Sequence, residues 1–316
     1  MVINQFFKRS CALLVAAVFM IVLLSGASVY AAEKPIVMSK YPNLKIGFTS
    51  QNFSKWLPPT VPNLKIIMDY ASQKGFAFIE IRDPAAKLSL SDCKELAAYA
   101  KQKNLEVVYA MGVGGLDDNY FEAFSRGLAN AMVFDGPKYV RTGANGNEMN
   151  NDLKKQFWTS AEFTQLVSNL NQAANTAKTF GMTLLVENAN EGLSGDGVNT
   201  FGTSDLFGPS GMNANVGLQL DMANFFCTSR VENSPTDVRK FFEANVTKMG
   251  YSHLKTSINH KPAQYLNGNE LAFDVYFASL SKLGKVYVAI ELANADNLEQ
   301  AYANHEKSVD YLLKNF

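Results

Sequence analysis

Met182 to Asn190 reads MTLLVENAN, and its grammar organises the whole chain. Thr183, Leu184, Leu185 and Val186 are the apolar, β-branched run of a strand in a parallel sheet covered on both faces. That run ends on Glu187, followed by polar residues. An acid there serves no packing purpose, and burying it costs on the order of several kcal/mol unless it finds a partner. The pattern recurs downstream. VGLQLDMAN ends its apolar run on Asp221, YSHLKTS carries His253 and Lys255, and KVYVAIELAN ends on Glu291.

Outward from this stretch the chain alternates. Strands are expected at Leu44–Thr49, Phe76–Arg82, Leu105–Met111, Lys138–Thr142, Thr183–Glu187, Val216–Met222, Tyr251–Thr256 and Val286–Glu291. Helical spacing fills Thr60–Lys74, Ser91–Lys103 with Ser91 as its N-cap, Tyr120–Phe134, Thr159–Phe180 with Gly181 as stop signal, Val238–Met249, Glu270–Leu283 and Asn297–Lys314. Gly192–Pro209 reads as a glycine-rich loop with a short helix close behind it, and its glycines would let it act as a lid over Glu187. Eight strand–helix units without a composition break predict an α/β single-domain (β/α)8 TIM barrel over residues 44–316. A doubly wound sheet is the alternative. It would carry a glycine fingerprint after the first strand, where this chain has SQNFSKW.

The N-terminus has another logic. Lys8 and Arg9 precede an apolar run from Cys11 to Leu24, then small residues up to Ala31-Ala32. This is the layout of a secretory signal peptide over residues 1–31, with a tether over 32–43, so the mature protein is expected in the periplasm or outside the cell. The run is short for a membrane span of about 20 residues, so no stable membrane insertion is expected after cleavage. Removing Lys8 and Arg9 from 29 bases leaves 27 against 29 acids, a balance that gives no reason to expect nucleic acid as a partner. Cys93 and Cys227 are expected to remain thiols, because a chain of 316 residues has no need of a staple.

In such a barrel the active site lies where strands end. Glu187, Asp221, Lys255 and Glu291 all sit there, on strands five to eight. Period two puts His253 with Lys255 on one face and Glu80 with Arg82 on another. If these faces point inward, the mouth sets Glu80, Glu187, Asp221 and Glu291 against Arg82, Arg141, Lys255 and His253. The bland alternative is a set of buried ion pairs that only holds the rim together. Trp56 and Trp158, after strands one and four, either stack on a sugar or cap the barrel by packing. Asn188 and Asn224 either orient substrate hydroxyls or cap turns.

The motifs GFAFIEIRD, YVRTGAN, LLVENAN, VGLQLDMAN, SHLK, LNGNELAF and YVAIELAN, in this order, resemble the xylose-isomerase-like barrel superfamily. That group holds sugar isomerases, sugar 3-epimerases, inosose dehydratases and the family-two apurinic endonucleases. The resemblance implies a small carbohydrate or cyclitol as substrate. It implies Glu187 and Glu291 as the proton-moving carboxylates, and Asp221 with those two as ligands of a divalent metal of the magnesium or manganese kind. Two positions depart from the pattern. The strand-seven ligand, usually histidine, falls on Lys255 in this reading, and the histidine after the strand-six aspartate is Asn224. An ammonium has no lone pair for a metal. The expectation is therefore a site with no metal or a weakly held one, with Lys255 joining the catalytic set by stabilising an enediolate oxygen. With three histidines in all, the chain is too poor in them for the endonuclease branch. Two rivals to an isomerase or epimerase stay open: a lyase using the same carboxylates on an oxidised sugar, and a non-catalytic carbohydrate-binding barrel.

Overall fold

The computed structural model describes residues 34–144, 156–209, 211–227, 232–268 and 272–316; the signal peptide expected over 1–31 lies outside the described residues. Eight strands form the centre: β1 (Leu44–Thr49), β2 (Phe78–Asp83), β3 (Glu106–Gly114), β4 (Tyr139–Gly143), β5 (Thr183–Glu187), β6 (Val216–Asp221), β7 (Tyr251–Leu254) and β8 (Val286–Ile290). Each pairs in parallel with its predecessor and successor, and β8 pairs with β1, so the sheet closes into the expected TIM barrel. The α-helices among the described residues are α1 (Val61–Gln73), α2 (Leu90–Gln102), α3 (Tyr120–Met132), α4 (Ser160–Thr179), α5 (Thr203–Leu206), α6 (Asn224–Cys227), α7 (Pro235–Asn245), α8 (Phe273–Leu280) and α9 (Leu298–Asn315). None of them is long and apolar enough to cross a membrane. Cys93 and Cys227 form no disulfide.

Local chemistry sets the helix ends. The cap of α2 is Ser89, not the expected Ser91: Ser89 Oγ accepts from Asp92 N, and the Asp92 carboxylate accepts from Ser89 N at 3.0 Å. This reciprocal box satisfies two otherwise orphaned donors. Thr159 and Glu162 do the same for α4, which ends where Gly181 takes a φ of +68°. The short helix expected behind the glycine-rich loop lies inside it, as α5.

The barrel interior is layered. Lys45, Glu106, Tyr287 and Lys285 close the end where strands begin, with Lys45 Nζ 2.7 Å from Glu106 Oε1 and Tyr287 donating to the same carboxylate. Above them Phe78, Val108, Leu185, Tyr251, Tyr287 and Ala289 form an apolar floor. Gly47 is required there, because a Cβ on it would stand 2.4 Å from Phe78 O. Above this floor the inward-facing side chains are mostly polar, with Ala110 of β3 an apolar exception. The described part of the expected tether is packed rather than slack: Ile36 and Met38 are buried, and Ile36 N donates to Gly75 O at 2.9 Å.

Outside the sheet, α9 delivers one histidine into the core. His305 is fully buried, with its ring centroid 4.7 Å from that of Phe48 and 4.9 Å from that of Phe53. Its Nε2 lies 2.9 Å from Asn52 Nδ2, so the ring accepts there and is neutral. Burial pushes its pKa down to about 3. The unfolded chain, with a histidine near its ordinary value of about 6.5, binds the proton that the folded one refuses. His305 therefore contributes stability above about pH 6.5 that is lost as pH falls toward 3, at about 1.4 kcal/mol per unit. In urea titrations at pH 6.5, 5.5 and 4.5, the parent should weaken by about that amount per unit, and His305→Phe should remove most of this slope. Parallel curves for the two proteins would mean that His305 is not the buried neutral group described.

Candidate active site

The polar mouth follows from where the inward rows of β2 and β4 to β8 end. Register puts Thr49 beside Glu80, Gly143 beside Glu187, Glu187 beside Gln219 and Asp221 beside His253, so residues far apart in sequence stand on one level. Glu291, one residue beyond β8, is tied to that level by its N–H, which donates to Leu254 O at 2.9 Å. Asn52 grips the chain on both sides of Glu291, donating to Ile290 O at 2.9 Å and accepting from Leu292 N at 3.0 Å.

His253 is the hub. Its Nδ1 lies 2.9 Å from Glu187 Oε1, 2.6 Å from Glu291 Oε2 and 3.9 Å from Asp221 Oδ2. Its Nε2 faces Glu80 Oε2 at 3.1 Å. Glu80 is fully buried and saturated, accepting from Thr49 Oγ1 at 2.7 Å and from Tyr251 OH at 2.6 Å. Burial works against the Glu80 carboxylate, but the charges of His253, Arg141 and Arg82 outweigh it and hold Glu80 well below the usual carboxylate range. Burial likewise opposes the imidazolium, yet Glu80 and Glu291 push His253 up to about 9. Glu291 is held far below its ordinary value: burial is again the opposing influence, overcome by Lys255 and His253.

The other cations complete the frame. Arg141, buried, contacts Glu187 Oε2, donates from Nε to Gln219 Oε1 at 3.2 Å and from Nη1 to Met111 O at 3.2 Å. Arg82 Nη1 stands 3.6 Å from the same Glu187 oxygen. Lys255 Nζ reaches Asp221 Oδ2 and Glu291 Oε1, each at 2.7 Å, and Asn224 Oδ1 at 2.9 Å. Burial disfavours its ammonium, but Asp221 and Glu291 raise its pKa above the ordinary value.

The structure thus brings Glu187, Asp221, Glu291, Lys255, His253, Arg82, Arg141 and Glu80 to one mouth, with the pairing corrected. The strand-seven donor inside the carboxylate cluster is His253, not Lys255, which lies past the end of β7. Glu80, expected in the mouth, is fully buried at its base as the partner of the His253 ring. Asn188 and Asn224 spend their amides on the frame. Asn188 exchanges two 2.9 Å bonds with the Asp221 backbone, while Asn224 donates to Asn188 O at 2.9 Å and its N–H reaches Asp221 Oδ1 at 3.2 Å. Trp158 is fully covered, on a two-residue strand paired with Thr200–Phe201, and offers no face to a sugar. Trp56 is half-buried, with Lys55 Nζ 4.6 Å from its ring centroid. The loop expected as a lid is pinned: Asp196 Oδ1 accepts three backbone N–H groups at 2.7 to 2.9 Å, and Phe201 stacks on Phe163 at 4.3 Å. Sequence reasoning passed over Gln219, whose amide spans Arg141, Glu187 and His253, and Tyr251. Counting back two residues from Asp221 and from His253 leads to both.

The donor atoms of Glu187, Asp221, His253 and Glu291 all lie within 4.8 Å of one another. An octahedral ion of the magnesium or manganese type holds ligands at about 2.1 Å, which puts neighbouring donors about 3 Å apart. The spacings from His253 Nδ1 to Glu187 and Glu291, 2.9 and 2.6 Å, are near this, and the 3.9 Å to Asp221 is closer to the separation of opposite ligands, about 4 Å. A carboxylate on the other ring nitrogen is the usual support of a metal-binding histidine. These four residues fit such an ion, and Lys255 stands outside the set.

The profile of the xylose isomerase-like TIM barrel family matches residues 68–314. No curated protein matches the chain. Among solved structures, a D-allulose 3-epimerase from Methylomonas sp. superposes with a TM-score of 0.63 at 15% identity, over 86% of this chain and 98% of that one. An L-ribulose 3-epimerase gives 0.62 at 18% identity, over 85% and 92%. A xylose isomerase-like TIM barrel protein from Mycobacterium smegmatis, in complex with magnesium, gives 0.61 at 17% identity, over 85% and 97%. At these identities the likeness is one of fold. With the profile running across most of the barrel, this chain belongs to the xylose isomerase-like TIM barrel family.

Proposed function

We propose that this protein is an isomerase or epimerase acting on a sugar or cyclitol through an enediolate, with a divalent cation held by Glu187, Asp221, His253 and Glu291. One observation carries the reading: carboxylates from β5 and from the end of β8 converge on the same atom, His253 Nδ1, at 2.9 and 2.6 Å. The epimerase and magnesium-bound neighbours support it. The apolar run after Lys8 and Arg9 supports the further proposal that the mature chain works outside the cytoplasm.

A bound divalent cation would polarise the substrate's carbonyl and hydroxyl oxygens, making the carbon-bound proton between them acidic. The chain's own residues supply the rest. A carboxylate on each side of the substrate takes a proton from one face and returns it to the other, which inverts the centre. Glu291 is the more open of the two, its side chain keeping 13% exposure against 8% for Glu187. Glu187, gripped through Oε2 by Arg141, is the fixed partner. Lys255 bridges Asp221 and Glu291, and Glu80 fixes the orientation of the His253 ring. The apolar floor shuts water out from below, so the charges act in a medium where they are worth more.

Incubating the protein with sugars and cyclitols in deuterated water tests the class. Incorporation of deuterium at a carbon next to a carbonyl, with an isomeric product, is expected. An unsaturated product would make it a lyase, and no exchange with any bound sugar would make it a binding protein. On an exchanged substrate, Glu187→Gln and Glu291→Gln should each slow turnover by ~10² or more, the usual contribution of a positioned acid or base. Unchanged turnover in both, with the fold intact, contradicts the assignment.

A further inference from the structure

Beside the mouth lies a cavity of about 320 Å³ that the reading above leaves unused. It is lined by Gln51, Ser54, Leu57 and Pro59 from the loop after β1, by Arg82 from β2 and by Gly112 from β3. That size is at the lower end of the range for small-molecule sites. Its walls combine an apolar side, a hydroxyl, an amide and one guanidinium.

Arg82 joins this cavity to the mouth. Its backbone N–H is fixed by Ser50 Oγ at 2.9 Å, while its side chain remains 23% exposed. Arg141 already contacts Glu187 Oε2, and Arg82 approaches that oxygen only to 3.6 Å, beyond hydrogen-bonding range. Among the described residues the Arg82 guanidinium makes no hydrogen bond, so its planar fork of donors is available to a ligand. Such a fork matches the two oxygens of a carboxylate or phosphate.

We propose that the cavity beside the mouth receives the oxyanion-bearing end of an acidic sugar, with Arg82 the residue that selects it over a neutral one. This rests on the isomerase reading, since the reacting carbons then lie between Glu187 and Glu291. Calorimetric titration of the full chain, with magnesium present, would use D-glucose, D-glucuronate and D-glucose 6-phosphate. At least one acidic probe should bind about tenfold more tightly than glucose, the gain of a single charge-assisted contact. The two acidic arms show whether the carboxylate or the phosphate is preferred. Arg82→Gln should collapse the preference to within about twofold, and Arg82→Lys should keep part of it, as a point charge without the fork. Glucose binding as tightly as both acids overturns the proposal, and so does a preference that survives Arg82→Gln. The readout is binding, so the two readings fail separately. Acid preference without deuterium exchange removes the isomerase alone; exchange on neutral sugars without acid preference removes the acidic substrate alone.

Discussion

Four carboxylates are buried within one barrel mouth, and the rest of the upper structure compensates for that. An isolated buried carboxylate is costly enough that proteins protonate it or pair it. Here each is paired: Glu80 with His253, Glu187 with Arg141, Asp221 with Lys255, and Glu291 with both Lys255 and His253. Removing one member would leave its partner's charge largely buried and unpaired, so the members depend on one another. A charge set so closely balanced contributes little net stability for its cost, and its use is the field it creates.

That field depends on strand geometry. Because side chains alternate, the row above Phe78 in β2 is Glu80, the row above Leu185 in β5 is Glu187, and the row above Tyr251 in β7 is His253. The apolar floor and the polar mouth are successive turns of one pattern. The loops then tie down what strands cannot: Asn188 and Asn224 lock Asp221, and Asn52, backed by His305 from α9, grips the chain around Glu291. Rigid support on this scale suits a site that must hold two carboxylates in register with a reacting carbon.

Most of the barrel was legible in the chain because parallel strands buried on both faces are written as short apolar runs, each closed by a helix of recognisable period. The converging groups were legible because ionisable residues at strand ends have no other physical excuse. What one sequence does not display is depth. His253 and Lys255 share a face, and only the pairing of Asp221 with His253 shows that the histidine stands among the carboxylates, while the lysine, past the end of the strand, reaches Asp221 and Glu291 from outside the cluster. Trp158 reads as an aromatic on the rim until its strand finds Thr200–Phe201, some forty residues on. Gln219 escaped because attention to charge passes over a neutral amide, although neutrality lets it bridge an arginine, a glutamate and a histidine at once.

The central claim is that His253, not Lys255, joins the three carboxylates around a divalent ion. Anomalous diffraction from crystals equilibrated with manganese addresses this directly. The account predicts one strong peak bonded to His253 Nδ1 and to oxygens of Glu187, Asp221 and Glu291, with the Lys255 ammonium still on Asp221 and outside the coordination sphere. A mouth without a peak at saturating manganese, with His253 still bonded to the glutamates, would contradict it.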